Sequence, residues 1–231
     1  MEQVNENCNC EKCQLRHLFF SNINPGKLSG FCETREEIKF RNGEMIVEEG
    51  EPINKFLYLK EGLVKLSKKT ITGREQIISF SKPFDFVNLL SVFSSEKYKY
   101  SVSALEDTVV CSFELDFIKA QAEKNAMFAI DLMSKISEAT DIIILDSLEI
   151  KRKNLKGRVA HVLMYFSRQV YGNDEFQLPV SRREIADYIG MTAENVIRTL
   201  SEFRRDKIIK IYGKDILIIE PGRLANISRL G

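Results

Sequence analysis

The chain has 231 residues, 44% of them hydrophobic, with a formal net charge of +1. That length suits one medium domain plus a small one, and the apolar fraction lets both bury a core. No run approaches the ~18 uncharged apolar residues of a membrane span, and residues 1–13 lack the apolar centre of a secretory signal, so a cytoplasmic protein without membrane contact is expected. In that setting five cysteines imply thiols or a metal rather than disulfides.

The small net charge hides an asymmetry. Residues 1–150 hold 18 Lys/Arg against 24 Asp/Glu, a balance of −6, whereas residues 151–210 hold 13 against 7, a balance of +6. A polyanion would dock on the second half, because phosphates attract clustered Lys and Arg. A solvated basic face is the plainer alternative that charge alone leaves open.

In chain order, residues 1–18 form a polar segment carrying Cys8, Cys10, Cys13 and His17. Residues 19–120 read as one domain, whose texture from about Glu37 to Phe113 is β. Short runs rich in β-branched and aromatic residues, such as Phe56-Leu57-Tyr58-Leu59 and Gln76-Ile77-Ile78-Ser79-Phe80, are punctuated by Gly43, Gly50, Gly62 and Gly73. That spacing predicts an antiparallel roll or barrel, with a hairpin turn at Thr72-Gly73. Cys32 reads as a small hydrophobe packed in it.

The texture then changes, with no glycine between Gly73 and Gly157. A long helix is predicted over residues 116–153, its core over 121–153. Met133, Ile136, Thr140, Ile143, Ser147 and Ile150 alternate at three and four residues, which is the pattern of a dimer seam. An ordinary core helix would share part of this pattern, but a length beyond ~25 residues favours a partner helix. Residues 154–231 read as a second domain. Its first helix, over residues 156–171, has Val159, Val162, Leu163, Phe166 and Val170 on one face.

Ser181-Arg182-Arg183-Glu184 is a capping box. The helix it opens points Ile185, Ala186 and Ile189 inward and is broken by Gly190. Thr192 then caps a second helix. Two short helices joined by a glycine turn predict a helix-turn-helix. On the second helix Val196, Leu200 and Phe203 share one side, and Glu194, Ile197, Arg198 and Ser201 share the other. An outward arginine can bond guanine O6 and N7, a glutamate can accept from cytosine N4, and an aliphatic side chain can touch the thymine methyl. Glu194, Ile197 and Arg198 are therefore the expected base contacts. Ser181, Arg182, Arg183, Thr192, Ser201 and Arg205 are the expected contacts to the DNA backbone, which positions a protein without specifying sequence. Ile208–Tyr212 and Ile216–Ile219 around Gly213-Lys214-Asp215 predict a hairpin, the wing, stopped by Pro221-Gly222 and followed by a helical turn over Leu224–Ile227. The fold class is α+β: an N-terminal antiparallel β-roll, a long dimerisation helix and a C-terminal winged helix-turn-helix.

Taken together, Phe40-x-x-Gly43-Glu44-x-Ile46, Gly50-Glu51, Leu57-Tyr58-x-x-x-Gly62-x-Val64-Lys65-Leu66, Gly73-Arg74-Glu75, Ser181-Arg182-x-Glu184-Ile185-Ala186, Gly190-Met191-Thr192 and Glu194-x-Val196-x-Arg198 resemble the Crp/Fnr family of bacterial transcription regulators. The resemblance implies a cyclic-nucleotide-binding-like roll and a homodimer on a palindromic promoter site in double-stranded DNA. It also implies contact with RNA polymerase and control of DNA binding by the effector state of the roll. Cyclic-nucleotide members hold the phosphate with a Gly-Glu pair and a later Arg-Ser or Arg-Thr. The corresponding stretches here are Pro83-Phe84-Asp85-Phe86-Val87-Asn88-Leu89 and Tyr98-Lys99-Tyr100-Ser101. No glycine occurs from residue 74 to 156 and no arginine from 75 to 151, so a cyclic nucleotide is not the expected ligand, Lys97 or Lys99 being poor replacements for a bidentate arginine.

The oxygen-sensing branch of the family carries an iron–sulfur cluster on three N-terminal cysteines and one from the end of the roll. Cys8, Cys10, Cys13 and Cys111 resemble that set and could bind a [4Fe–4S] cluster. Cys-x-Cys-x-x-Cys is tighter than the branch's usual spacing, which leaves zinc, thiol redox or an inert tail open. His17 and His161 read as surface or capping residues. The expected function is thus a DNA-binding regulator that senses redox or oxygen through cysteines, or an unknown small ligand in the roll; a non-DNA adaptor is the reading from another class. No Ser/His/Asp set, P-loop or paired carboxylates point to an enzyme. Val87-Asn88-Leu89-Leu90 is compatible with either a polymerase-facing or a ligand-lining surface.

Overall fold

The computed structural model of the chain describes the backbone of Glu2 and Gln3 and residues 34–231. Cys8, Cys10, Cys13, His17 and Cys32 lie outside the described residues. The chain divides into two compact units, one of residues up to Lys69 with Ile78–Ile142, the other of Thr70–Ile77 with Ile143–Gly231.

In the first unit the strands are β1 (Glu2–Gln3), β2 (Glu36–Phe40), β3 (Met45–Val47), β4 (Lys55–Glu61), β5 (Val64–Lys69), β6 (Glu75–Ser81), β7 (Ser101–Ala104) and β8 (Thr108–Glu114). One sheet has the order β1-β2-β8-β4 and the other β3-β7-β5-β6. Non-sequential neighbours such as β2 and β8 are what a roll produces. On β4, Phe56, Leu57, Tyr58 and Leu59 are all buried, because both faces of that sheet are covered. Strand alternation sends Phe56 and Tyr58 to one face and Leu57 and Leu59 to the other. Phe56 and Tyr58 share a core with Cys111, Phe113 and the apolar sides of three helices. These are α1 (Leu89–Val92), α2 (Leu115–Lys124) and the start of α3 (Ala126–Arg152). Phe128 and Leu132 anchor α3 there, each burial worth about 1.5–3 kcal/mol.

The predicted single helix over residues 116–153 is thus two helices. Asn125 breaks it with extended backbone (φ −138°, ψ 99°). Its Oδ1 accepts from the N–H groups of Met127 (3.1 Å) and Phe128 (3.3 Å), so it starts α3 as it ends α2. Asparagine favours such caps because its side chain competes for local N–H groups.

In the second unit α4 (Leu155–Tyr165) runs on as a π-helical turn, Phe166–Tyr171, ended by Gly172 in the left-handed region. Then come β9 (Glu175–Gln177), α5 (Arg182–Ile189), α6 (Ala193–Arg205), β10 (Ile209–Tyr212), β11 (Asp215–Ile218) and α7 (Pro221–Leu230). The wing has a third strand that sequence reading did not give, in the order β10-β11-β9. Pro221-Gly222 does not merely stop the hairpin. Proline at the first helical position starts α7, where its missing N–H costs nothing. Among the described residues no helix is long and apolar enough to cross a membrane.

Gly62, between β4 and β5, has φ +92°, and a Cβ there would lie 2.5 Å from Thr108 Oγ1 and 2.7 Å from the Asp107 carbonyl oxygen. Gly62→Ala is expected to destabilise the roll by about 1–3 kcal/mol or more, measured by urea unfolding. An unchanged midpoint would contradict this geometry.

Candidate nucleic-acid interface

The site is built from α5, its following turn, α6 and the wing. Ser181 Oγ accepts from Glu184 N–H (3.1 Å) while Glu184 Oε2 accepts from Ser181 N–H (2.8 Å). This reciprocal cap fixes the start of α5. Gly190 ends α5 at φ +67°, a conformation that costs glycine little. Thr192 Oγ1 then accepts from Asn195 N–H (3.3 Å) and starts α6.

The faces of α6 are sharply divided. Val196, Thr199, Leu200 and Phe203 are buried. Glu194, Arg198, Ser201, Arg204 and Arg205 are exposed, as is Ile197 at 52%. Among the described residues Ile197 is thus an aliphatic side chain left largely open in a row of charges. Arg198 Nη2 donates to Asn195 Oδ1 (3.0 Å) and Ser201 Oγ donates to the Ile197 carbonyl (2.9 Å). Neither bond buries its side chain. Bonds to its own backbone and to Thr192 hold the Glu194 carboxyl below the usual carboxylate range, so it is a ready acceptor. Arg198, Ser201, Glu202, Arg204 and Arg205 line one open groove.

The structure therefore brings the three expected base contacts onto one exposed face. The expected backbone contacts separate. Arg183 is exposed beside the cap, and Arg205 is exposed with a 3.7 Å ion pair to Asp206. Ser181 and Thr192 spend their side-chain oxygens as caps. Arg182 is half-buried and donates from Nη2 to the Gly213 carbonyl at the tip of the wing (2.9 Å), and burial pulls its pKa down. It ties α5 to the wing. Sequence reading missed the wing's exposed side chains, Lys210, Tyr212 (73% exposed) and Lys214, and also Arg204. The signal was available: a two-residue turn at Gly213-Lys214 projects its neighbours outward.

In the roll, Val87, Asn88 and Leu89 are buried, so they build the core rather than a polymerase-facing surface. Asn88 accepts from Leu57 N–H and donates to the Lys55 carbonyl and Tyr98 hydroxyl. Ser101 Oγ accepts from Glu49 N–H (3.0 Å). The Asn88 and Ser101 side chains thus spend their hydrogen bonds inside the roll. Cys111 is 1% exposed in the roll core, opposite Glu37 and Tyr58 in the sheet. Among the described residues no group of three His, Cys, Asp or Glu side chains is placed to hold a metal ion.

Of the expected seam, Met133 is 65% exposed, Ile150 is buried, and Ile136, Thr140, Ile143 and Ser147 are half-buried. Ile136 packs on the roll core. Exposed Met127, Ile130, Ile144, Leu145 and Leu148 continue an apolar surface beside them.

A family model of the cyclic nucleotide-binding domain matches residues 37–125, and one of the Crp-like helix-turn-helix domain matches residues 157–227. The chain belongs to the Crp/Fnr family of DNA-binding transcription regulators. It is similar to the nitrogen fixation regulation protein FixK of Bradyrhizobium diazoefficiens, 27% identical over 228 residues, 95% of this chain and 93% of that protein. Electron transport regulator A of Shewanella oneidensis is 26% identical over 219 residues, 91% of this chain and 86% of that protein. The structure of FixK2 from Bradyrhizobium japonicum superposes with a TM-score of 0.73 at 29% identity, covering 83% of this chain and 96% of that one. The Crp/Fnr family comprises transcription regulators rather than enzymes.

Proposed function

We propose that this chain is a homodimeric, sequence-specific regulator that reads a palindromic promoter site with Glu194, Ile197 and Arg198, recruits RNA polymerase, and takes its effector signal in the roll. The observation that carries it is the exposed Glu194–Ile197–Arg198 face on a helix whose other side is fully buried. Arg183, Ser201, Arg204 and Arg205, with Lys210 and Lys214 on the wing, supply phosphate contacts. Arg198→Ala is expected to cost about 1–3 kcal/mol on a DNA site selected by the wild type and to relax its guanine preference. Fluorescence anisotropy on matched and guanine-substituted duplexes checks this, and an unchanged preference would remove Arg198 from base reading.

The dimer on this reading uses the apolar surface of α3. Exposed Met133 and Ile144 extend the half-covered Ile136, Thr140 and Ile143, and an isolated helix leaving so many large apolar side chains in water favours burial against a second copy. Met133→Glu with Ile144→Glu is expected to give monomers in sedimentation velocity with the roll still folded. A dimer that persists would move the interface elsewhere.

The effector on this reading is redox or oxygen, supported by the similarity to electron transport regulator A. A [4Fe–4S] cluster or a zinc ion takes four thiolates. Cys8, Cys10, Cys13 and Cys111 would supply them, although only Cys111 is among the described residues, where it is a buried thiol. Anaerobic purification with assays of iron, sulfide and zinc checks this against Cys8→Ser, Cys10→Ser and Cys13→Ser. Iron and sulfide lost in the variants support a cluster, and zinc alone supports a structural or thiol-redox site. No metal at all would leave a small ligand in the roll as the effector.

A further inference from the structure

The C-terminal turns of α3 and the first helix of the helix-turn-helix are joined through one carboxylate. Asp146, on α3, has 22% of its side chain exposed. Its Oδ1 accepts from His161 Nε2 on α4 at 2.8 Å. Its Oδ2 accepts from the Tyr188 hydroxyl on α5 through a short hydrogen bond. Burial, and then the Asp146 charge, push the Tyr188 phenol far above its ordinary pKa, so it remains a donor. A second tie lies nearby. Arg158 Nε donates to the Lys153 carbonyl (2.9 Å), Nη2 to the Lys151 carbonyl (3.3 Å) and Nη1 to the Ile189 carbonyl (3.0 Å). One guanidinium thus bridges the C-terminal ends of α3 and α5, where helix carbonyls lack partners and a cation is favoured.

We infer that Asp146 is a positioning residue: by holding Tyr188 and His161 together it fixes the C-terminal turns of α3 against the DNA-reading unit. The inference rests on the dimeric DNA reading above. If two copies pair along their long helices, as proposed above, a fixed angle at this elbow would set the distance between the two recognition helices. A palindrome with the wrong half-site spacing then engages one head only, and the avidity of the second is lost. A loose elbow would let both heads adapt. The surrounding charges, Glu149, Lys153 and Arg158, are already paired with one another or with backbone. They do not substitute for the carboxylate at Tyr188.

The test compares wild type, Tyr188→Phe and Asp146→Asn on palindromes carrying the wild type's selected half-sites. The spacer is native, or longer or shorter by about two base pairs, roughly a fifth of a helical turn. A single half-site duplex and a thermal melt accompany each protein. Wild type is expected to lose on the order of 100-fold in affinity when the spacer changes. The variants are expected to lose only a few-fold, with melting temperature and half-site affinity near wild type, which a merely structural role would not allow. Folded variants that keep the wild-type spacing profile would overturn the inference and leave the DNA reading intact. A wild type indifferent to both spacing and sequence would overturn the DNA reading and the inference with it. Should Asp146→Asn fail to fold, Tyr188→Phe, which keeps the buried ring, decides alone.

Discussion

The rest of the DNA-reading unit depends on the burial of one face of α6. Val196, Thr199, Leu200 and Phe203 are all within a few per cent of full burial. Fully burying each of the larger apolar ones contributes about 1.5–3 kcal/mol. Turning the helix by one residue would bring some of them into water and charged neighbours into the core, at a cost of several kcal/mol. The helix therefore has one rotational setting. Once that is fixed, Glu194, Ile197 and Arg198 have only one direction to face. The capping box at Ser181, the left-handed Gly190 and the Thr192 cap hold the axis of the helix in turn. Arg182 brings the wing tip alongside. On the proposed reading, specificity is a by-product of packing: the core side of the helix aims the side that would read the groove.

The roll shows the same economy. Phe56 and Tyr58 on β4 pack with Phe128 and Leu132 on α3, so the sheet and the long helix share one core. A helix whose inner face is spent on its own roll still carries Met127, Ile130, Met133, Ile144, Leu145 and Leu148 exposed. That second apolar surface lies opposite the face spent on the roll, and on the proposed reading a partner helix covers it.

Much of this was legible in the residues. The capping box, the glycine turn and the spacing of Val196, Leu200 and Phe203 specify local geometry, and local geometry is what a sequence encodes directly. The roll was legible as a texture of short β-branched runs between glycines. What could not be read is either marked too weakly in the local sequence or depends on contacts distant in the chain. The break at Asn125 lies inside a run whose helical periodicity continues on both sides, and only the competing cap reveals it. The third strand of the wing, Glu175–Gln177, is too short to carry a pattern. Arg182 looked like a phosphate ligand because its link to Gly213 spans 31 residues. The seam on α3 was placed by period alone, which cannot tell the face turned to the roll from the face beside it. The link between Asp146 and Tyr188 spans 42 residues and left no local trace.

The most direct test of the account is selection from random-sequence double-stranded DNA by the full-length protein, with sequencing of the enriched pool. The account predicts a two-fold symmetric consensus whose half-sites each contain a required guanine and lie about one helical turn apart, 10–10.5 base pairs centre to centre. An enriched sequence without two-fold symmetry, or no enrichment over input, would contradict it.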